Sequence, residues 1–199
     1  MKHQIFLTLS LIFVSFFTNP ANTFAHCDSI EGPVVIAAKK ALETGNLNYV
    51  LLWVSENDET EISNMFEKVM KVRNLRDDVR SLVDMYFIET VVRVHRMGEG
   101  VGYTGLKPQD FNPAEGIEAA DIAIETNSVN DILSHLDEAN HEKVKHYFAD
   151  LQSKRNYEVN DLHAGREYVK SYVHFIHYVE SLFGGENLHD SHSQQEHNH

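Results

Sequence analysis

Hydrophobic residues recur at helical spacing along nearly all of the chain beyond residue 32, and no alternating run long enough for a strand interrupts them. Ile62, Met65, Phe66 and Val69, for example, follow the i, i+3, i+4, i+7 rule that places apolar side chains on one face of a helix. The pattern therefore predicts an all-α fold.

Local signals indicate where several of these helices begin. Pro33 has no N–H to lose at a first-turn position, which predicts a helix over 33–43. Asp58 with Glu61 three residues later is an acidic variant of the capping box. The longest helix of the first half is predicted over about 78–97, before a run of glycines.

The second half of the chain repeats the first at an offset of 82 residues. Positions 37–95 share 14 identities with their counterparts, where chance gives about four. We therefore predict a helical bundle built from two tandem-duplicated repeats. Its predicted parts are a first repeat over 26–97, a Gly/Pro-rich connector over 98–116, a second repeat over 117–183 and a disordered His-rich tail over 184–199.

The N-terminus has the pattern of a secretory signal over residues 1–25. Lys2 precedes an apolar run from Ile5 to Phe17, and Thr23-Phe24-Ala25 places small residues where a signal peptidase cuts. The run is shorter than the ~20 residues that a membrane-spanning helix needs. We expect a periplasmic or secreted protein that begins at His26 and is not inserted in the membrane after processing.

Charge and composition exclude several classes of function. The chain has 30 acidic and 17 basic residues and a formal net charge of −13, which disfavours binding to nucleic acids and to anionic lipid surfaces. One cysteine cannot form an internal disulfide. Gly100, Gly102 and Gly105 have the spacing of a dinucleotide fingerprint, but a predicted helix precedes them instead of a strand, so no nucleotide site is expected. The sequence leaves open whether the protein forms a homo-oligomer.

The predicted new terminus has the chemistry of a metal chelate. His26 would offer its amine and its imidazole, and Cys27 would add a thiolate, with Asp28 and Glu31 as auxiliary groups nearby. A planar set of nitrogen and sulfur donors favours copper or nickel, whereas a tetrahedral set suits zinc. The alternative is that Cys27 packs as a small apolar residue.

A duplicated pair of histidines provides further candidate ligands. His95 and His177 occupy equivalent points of the two repeats and share helix faces with apolar residues. Glu89 and Glu180 are candidate hydrogen-bond acceptors for them, and His174 forms an i, i+3 pair with His177. The alternative is that both are core histidines bonded to tyrosine or backbone groups.

Two resemblances add to these predictions. The segment His26-Cys27-Asp28-Ser29-Ile30-Glu31-Gly32 resembles the His-Cys-Asp-x-x-Cys-Gly hook of nickel superoxide dismutases, with Glu31 where that family has its second cysteine ligand. The processed chain also resembles an uncharacterised bacterial family of exported proteins. Its signature is His-Cys-Asp, Gly-Pro-Val-Val, Tyr-Thr-Gly-Leu-Lys-Pro and His-Tyr-Val-Glu, found here at 26–28, 32–35, 103–108 and 177–180.

Together these features predict an exported protein that binds one transition metal through His26 and Cys27, with His95 or His177 completing the site. If the metal is redox-active, superoxide dismutation is the natural reaction, although no catalytic residue is assigned. The alternatives are metal storage, delivery or sensing without catalysis, and a metal-free helical module that binds a protein partner through 98–105.

Overall fold

The computed structural model of the protein describes residues 27–109, 111 and 113–186. The predicted signal, His26 and residues 187–199 of the predicted tail lie outside these residues, whereas residues 184–186 of that tail are helical and not disordered. Across the described residues the chain is helical and includes no strand, which confirms the all-α class. One isolated parallel bridge joins Ser29 to Lys107.

Eight α-helices and one short 3₁₀ helix make up the described fold. They are α1 (Pro33–Thr44), α2 (Asn48–Leu51), the 3₁₀ helix (Glu56–Asp58), α3 (Glu59–Val72), α4 (Asp77–Gly98), α5 (Glu115–Thr126), α6 (Asn130–Ser134), α7 (Glu138–Lys154) and α8 (Leu162–Glu186). None of these helices is long and apolar enough to cross a membrane.

Two local expectations differ from the structure. Asp58 makes no side-chain cap on α3, because its carboxylate accepts a hydrogen bond from Oγ of Ser55 at 2.7 Å. The irregular connector is shorter than predicted, since α4 includes Gly98 and α5 already begins at Glu115. Gly116 lies in α5, which packs closely against α8 at this point. A Cβ on residue 116 would come within 2.6 Å of Cα of Glu180.

Each long helix forms the centre of its own half of the molecule. Helix α4 packs against α1 and α3, and α8 packs against α5 and α7. Each half buries a separate apolar cluster, which provides the main driving force for its folding. The first cluster includes Val35 and Phe87, and the second includes Ile117 and Phe175.

The two halves share helix positions and contacts at a fixed separation. Helices α5 and α6 begin 82 residues after α1 and α2. Gly45 follows the last residue of α1 with φ 73°, and Asn127 follows the last residue of α5 with φ 53°, so both C-caps use the left-handed region. In each half an arginine crosses to the end of the first helix. Nη1 of Arg73 donates to the carbonyl of Leu42, and Nη1 of Arg155 donates to that of Ile124.

Side chains between α2 and α3 connect the halves. Trp53 packs against both apolar clusters, and its ring lies edge-on to that of Tyr172 at 5.8 Å between centroids. Arg166 of α8 donates to the carboxylate of Glu59 and to the carbonyl of Leu51. The C-terminal end of α4, the segment around Trp53 and α8 therefore meet at the junction of the halves.

Candidate metal centre

The first described residues are held against the connector by backbone hydrogen bonds. The N–H of Lys107 donates to the carbonyl of Asp28 at 2.8 Å, and the N–H of Ile30 donates to the carbonyl of Lys107 at 3.1 Å. Pairing of this kind satisfies backbone groups that would otherwise be buried without partners. It also fixes Cys27, which is half-buried, close to the C-terminal end of α4.

His95 lies on the buried face of α4, with 5% of its surface exposed. Its Nδ1 donates to the carbonyl of Trp53 at 2.7 Å. A carbonyl can only accept, so this contact places a hydrogen on Nδ1 and determines the direction in which Nε2 points. A histidine that binds a metal is oriented in the same way, by donating its other ring N–H to a fixed acceptor.

Nε2 of His95 points toward the thiol of Cys27 and the carboxylate of Glu99. It lies 3.3 Å from Oε1 of Glu99, which follows one helical turn later. One ligand atom from each of the three residues lies within 4.8 Å of the others. Among the described residues, Nε2 has no hydrogen-bond partner in regular geometry. The three residues, here called the Cys27 cluster, therefore present sulfur, nitrogen and oxygen donors to one point.

Arg96 connects the cluster to the N-terminal segment. Its Nε lies 3.1 Å from Oδ1 of Asp28, and its Nη1 donates to Oε2 of Glu99 at 3.1 Å. The side chains of Arg96 and Asp28 are 5% and 3% exposed. Arg96 therefore orients the Glu99 carboxylate through the oxygen that does not face His95, and it holds Asp28, the residue next to Cys27, in place. Burial still raises the pKa of Asp28, although Arg96 opposes that shift.

The protonation of the metal-free cluster follows from its mutual contacts. Burial lowers the pKa of His95, but the neighbouring Cys27 and Glu99 together outweigh burial and raise the pKa to about 10. For Glu99 burial favours a higher pKa, but His95, Arg96 and His177 lower it below its usual value. The arrangement thus stabilises a positive charge between the thiol and the carboxylate, and a metal ion carries such a charge.

The long helix of the second half completes the surroundings of the cluster. Burial raises the pKa of Tyr172, and the nearby Asp121 and Cys27 add to this effect. His177 is near enough to lower the pKa of Glu99, but it lies outside the Cys27 cluster. Its Nδ1 donates to Oε2 of Glu180 at 3.0 Å, which is the contact expected of Glu180.

The other candidate residues are not members of the Cys27 cluster. Glu89 is on an exposed face of α4, and His174 is exposed on α8. Glu31 is exposed and accepts a hydrogen bond from Gln109 at 2.8 Å. Asp28 is occupied by Arg96, and His26 lies outside the described residues.

Glu99 is the residue of the cluster that the sequence reasoning missed. Its spacing from His95 was the available signal, because residues i and i+4 lie on the same helix face. His163 and Glu167 have the same spacing on α8, so spacing alone does not distinguish Glu99. The distinguishing contact is with Arg96, whose other partner is Asp28, distant in sequence.

Comparison with known proteins relates the chain to a family. No curated protein and no solved structure matches the chain. A family of unknown function, DUF6448, matches residues 31–178, which include His95 and Glu99 but not Cys27. The chain belongs to the DUF6448 family.

Proposed function

We propose that this protein binds one transition-metal ion at Sγ of Cys27, Nε2 of His95 and a carboxylate oxygen of Glu99. The observation that carries the proposal is the convergence of these three atoms within 4.8 Å, with Nδ1 of His95 already bonded to a carbonyl. Bonds of ~2.0–2.3 Å in a tetrahedral site separate neighbouring ligand atoms by about 3.3–3.8 Å. A small inward movement of side chains is enough to reach that geometry.

The charges of the site support a divalent ion. A thiolate and the Glu99 carboxylate neutralise two positive charges, while Arg96 compensates Asp28 on the outer side. An uncompensated charge would be costly at this depth, because His95 and Arg96 are about 5% exposed. The ion would take the place of the proton on Nε2.

The donor set selects the class of metal. Thiolate and imidazole favour copper, nickel or zinc over the oxygen-seeking magnesium and calcium. We propose copper or nickel, with zinc as the alternative. Three protein ligands leave further coordination positions, one of which the amine of His26 would fill if export removes residues 1–25. His177, which lies near enough to Glu99 to lower its pKa, is the second candidate for this position.

With copper or nickel, the proposal extends to one-electron chemistry. Superoxide dismutation converts two superoxide ions and two protons to dioxygen and hydrogen peroxide, with the metal alternately reduced and oxidised. Storage or delivery of the same metal requires no such cycle. Consumption of superoxide by the loaded protein, and its loss in C27S, would distinguish the catalytic function from storage.

We also propose that the chain arose by tandem duplication, with a metal site in the first half only. The common helix termini and the equivalent arginine contacts of Arg73 and Arg155 support the duplication. The counterpart of His95 is His177, but the position equivalent to Glu99 is Ser181, which is exposed and bonded to the carbonyl of Tyr178. One metal per chain is therefore expected.

The test is metal content in the protein expressed from its full-length sequence. We expect about one ion per chain by elemental analysis, and at least a tenfold weaker affinity in each of C27S, H95Q and E99Q. His146 is exposed on α7, so H146Q is a matched control that keeps wild-type binding. Equal metal content in all five proteins would refute the proposed ligands.

The contribution of the terminus is tested separately. Mass measurement of exported protein establishes whether the chain begins at His26. A chain with one extra residue before His26 is expected to bind the metal more weakly, because its amine is displaced. Unchanged affinity would remove the amine from the ligand set without affecting Cys27, His95 and Glu99.

A further inference from the structure

A cleft of about 300 Å³ opens beside the Cys27 cluster at the junction of the two halves. His95 and Glu99 form part of its wall, whereas Cys27 does not line it. The remaining wall comes from the segment 52–55, from Gly98 and from one face of α8. The cleft therefore brings solvent beside His95 and Glu99, while Nε2 of His95 itself is buried.

The α8 face of this cleft is basic in an acidic protein. Arg166, Lys170 and His174 line it at i, i+4 and i+8, so they follow one another along the same side of the helix. Val169 and Val173 lie between them and form an apolar part of the wall. Because the whole chain has a formal net charge of −13, this row of basic side chains is a local exception.

The basic residues differ in how far their charge is already compensated. Arg166 pairs with Glu56 and Glu59, neither of which lines the cleft. Among the described residues, Lys170 forms no ion pair and is exposed at the cleft. Glu99 is the carboxylate in the cleft wall, and in the metal site its charge would be balanced by the ion. Lys170 therefore places a positive charge with no ion-pair partner among the described residues beside the path to the metal.

We propose that a small anion enters through this cleft and binds the metal at the position that the protein leaves open. This inference rests on the proposed metal site and names the class of its substrate or exogenous ligand. The size of the cleft agrees with a small ligand, because about 300 Å³ is at the lower limit of ligand pockets and holds about ten water molecules. Lys170 attracts the anion and lowers the repulsion that the acidic protein exerts on it.

Azide is a suitable probe, because its coordination to Cu(II) gives a charge-transfer absorption band. The full-length protein is loaded with Cu(II) and titrated with azide at low ionic strength. K170E is compared with K71E, which makes the same change in net charge at an exposed lysine of α3 that is 74% exposed and pairs with Glu67. We expect K170E to weaken azide binding about threefold to tenfold and K71E to change it less than twofold. The difference should shrink as salt is added.

A steric variant tests the path independently of charge. Val173 is half-buried in the cleft wall, so V173F should narrow the cleft and weaken azide binding while the copper content stays at one per chain. Normal copper content with no azide band, or with equal azide affinity in wild type, K170E and V173F, would overturn the anion proposal and leave the metal proposal standing. Failure of the wild type to bind copper, nickel or zinc would overturn both.

Discussion

Replacing Arg96 by methionine is expected to destabilise the metal-free protein by about 3–5 kcal/mol. The guanidinium is 5% exposed and lies between the carboxylates of Asp28 and Glu99, with contacts of 3.1 Å on both sides. Methionine preserves much of the volume but removes the charge, which leaves two acidic groups in a poorly hydrated site. Breaking a buried ion pair from one side has a cost of this size because the remaining charge loses its partner.

The matched control lies three residues earlier on the same helix. Arg93 donates to Glu61 at 2.6 Å, but these two side chains are 39% and 51% exposed. An exposed pair contributes about 0–1 kcal/mol, so R93M should change stability little. Urea unfolding of the metal-free proteins measures the difference. With a urea dependence of about 2 kcal/mol per molar, R96M should lower the midpoint by about 1.5–2.5 M.

A second substitution tests the cause of the loss. In the double variant D28N/R96M the unpaired Asp28 charge is gone, so part of the lost stability should return. Equal losses in R96M and R93M, or a double variant no more stable than R96M, would contradict the electrostatic reasoning. The same R96M protein should also bind the metal more weakly, because the Glu99 carboxylate loses the contact with Arg96 that orients it.

Three further predictions concern packing, spectroscopy and pH. G116V should lower stability by about 1–3 kcal/mol in thermal unfolding, because its Cβ would lie 2.6 Å from the backbone of α8, whereas G98A, with nothing within 4 Å, should have little effect. Trp53 is the sole tryptophan and its ring centroid lies 5.9 Å from that of His95, so one equivalent of Cu(II) should quench the fluorescence of wild type but not of C27S. A hydrogen bond from Ser171, and to a lesser extent one from Lys154, lowers the pKa of Asp150 below its usual value of 3.8. The stability that wild type gains over D150N should therefore be complete above pH 3.8 and lost as the pH falls through the lowered pKa. A difference between wild type and D150N that persists in stronger acid would contradict the last prediction.

The helices were predictable because their signals are local. Each signal lies within the helix that it predicts or directly beside it. Examples are the apolar period, Pro33 at a helix start and glycines after a helix end. The same reasoning overestimated the role of Asp58, whose carboxylate pairs with Ser55 instead of capping α3. Local patterns therefore located the helices better than the bonds made at their ends.

The site was only partly predictable because it depends on contacts between distant segments. Donor chemistry suggested that either His95 or His177 joins Cys27, and the structure places His95 in one cluster with Cys27. The place of Glu99 depends on Arg96, and the orientation of His95 depends on the carbonyl of Trp53. Neither contact produces a sequence motif. The partner of His95 is a backbone oxygen, and the partner of Glu99 is a charged side chain near the end of the same helix.

X-ray absorption of the metal-loaded protein tests the central claim most directly, because it reports the atoms bound to the ion. With Cys27, His95 and Glu99 as ligands, the spectrum should contain one sulfur neighbour at about 2.3 Å and lighter neighbours at about 2.0–2.2 Å. The sulfur shell should disappear in C27S. A spectrum with only nitrogen and oxygen neighbours, identical in wild type and C27S, would contradict the account.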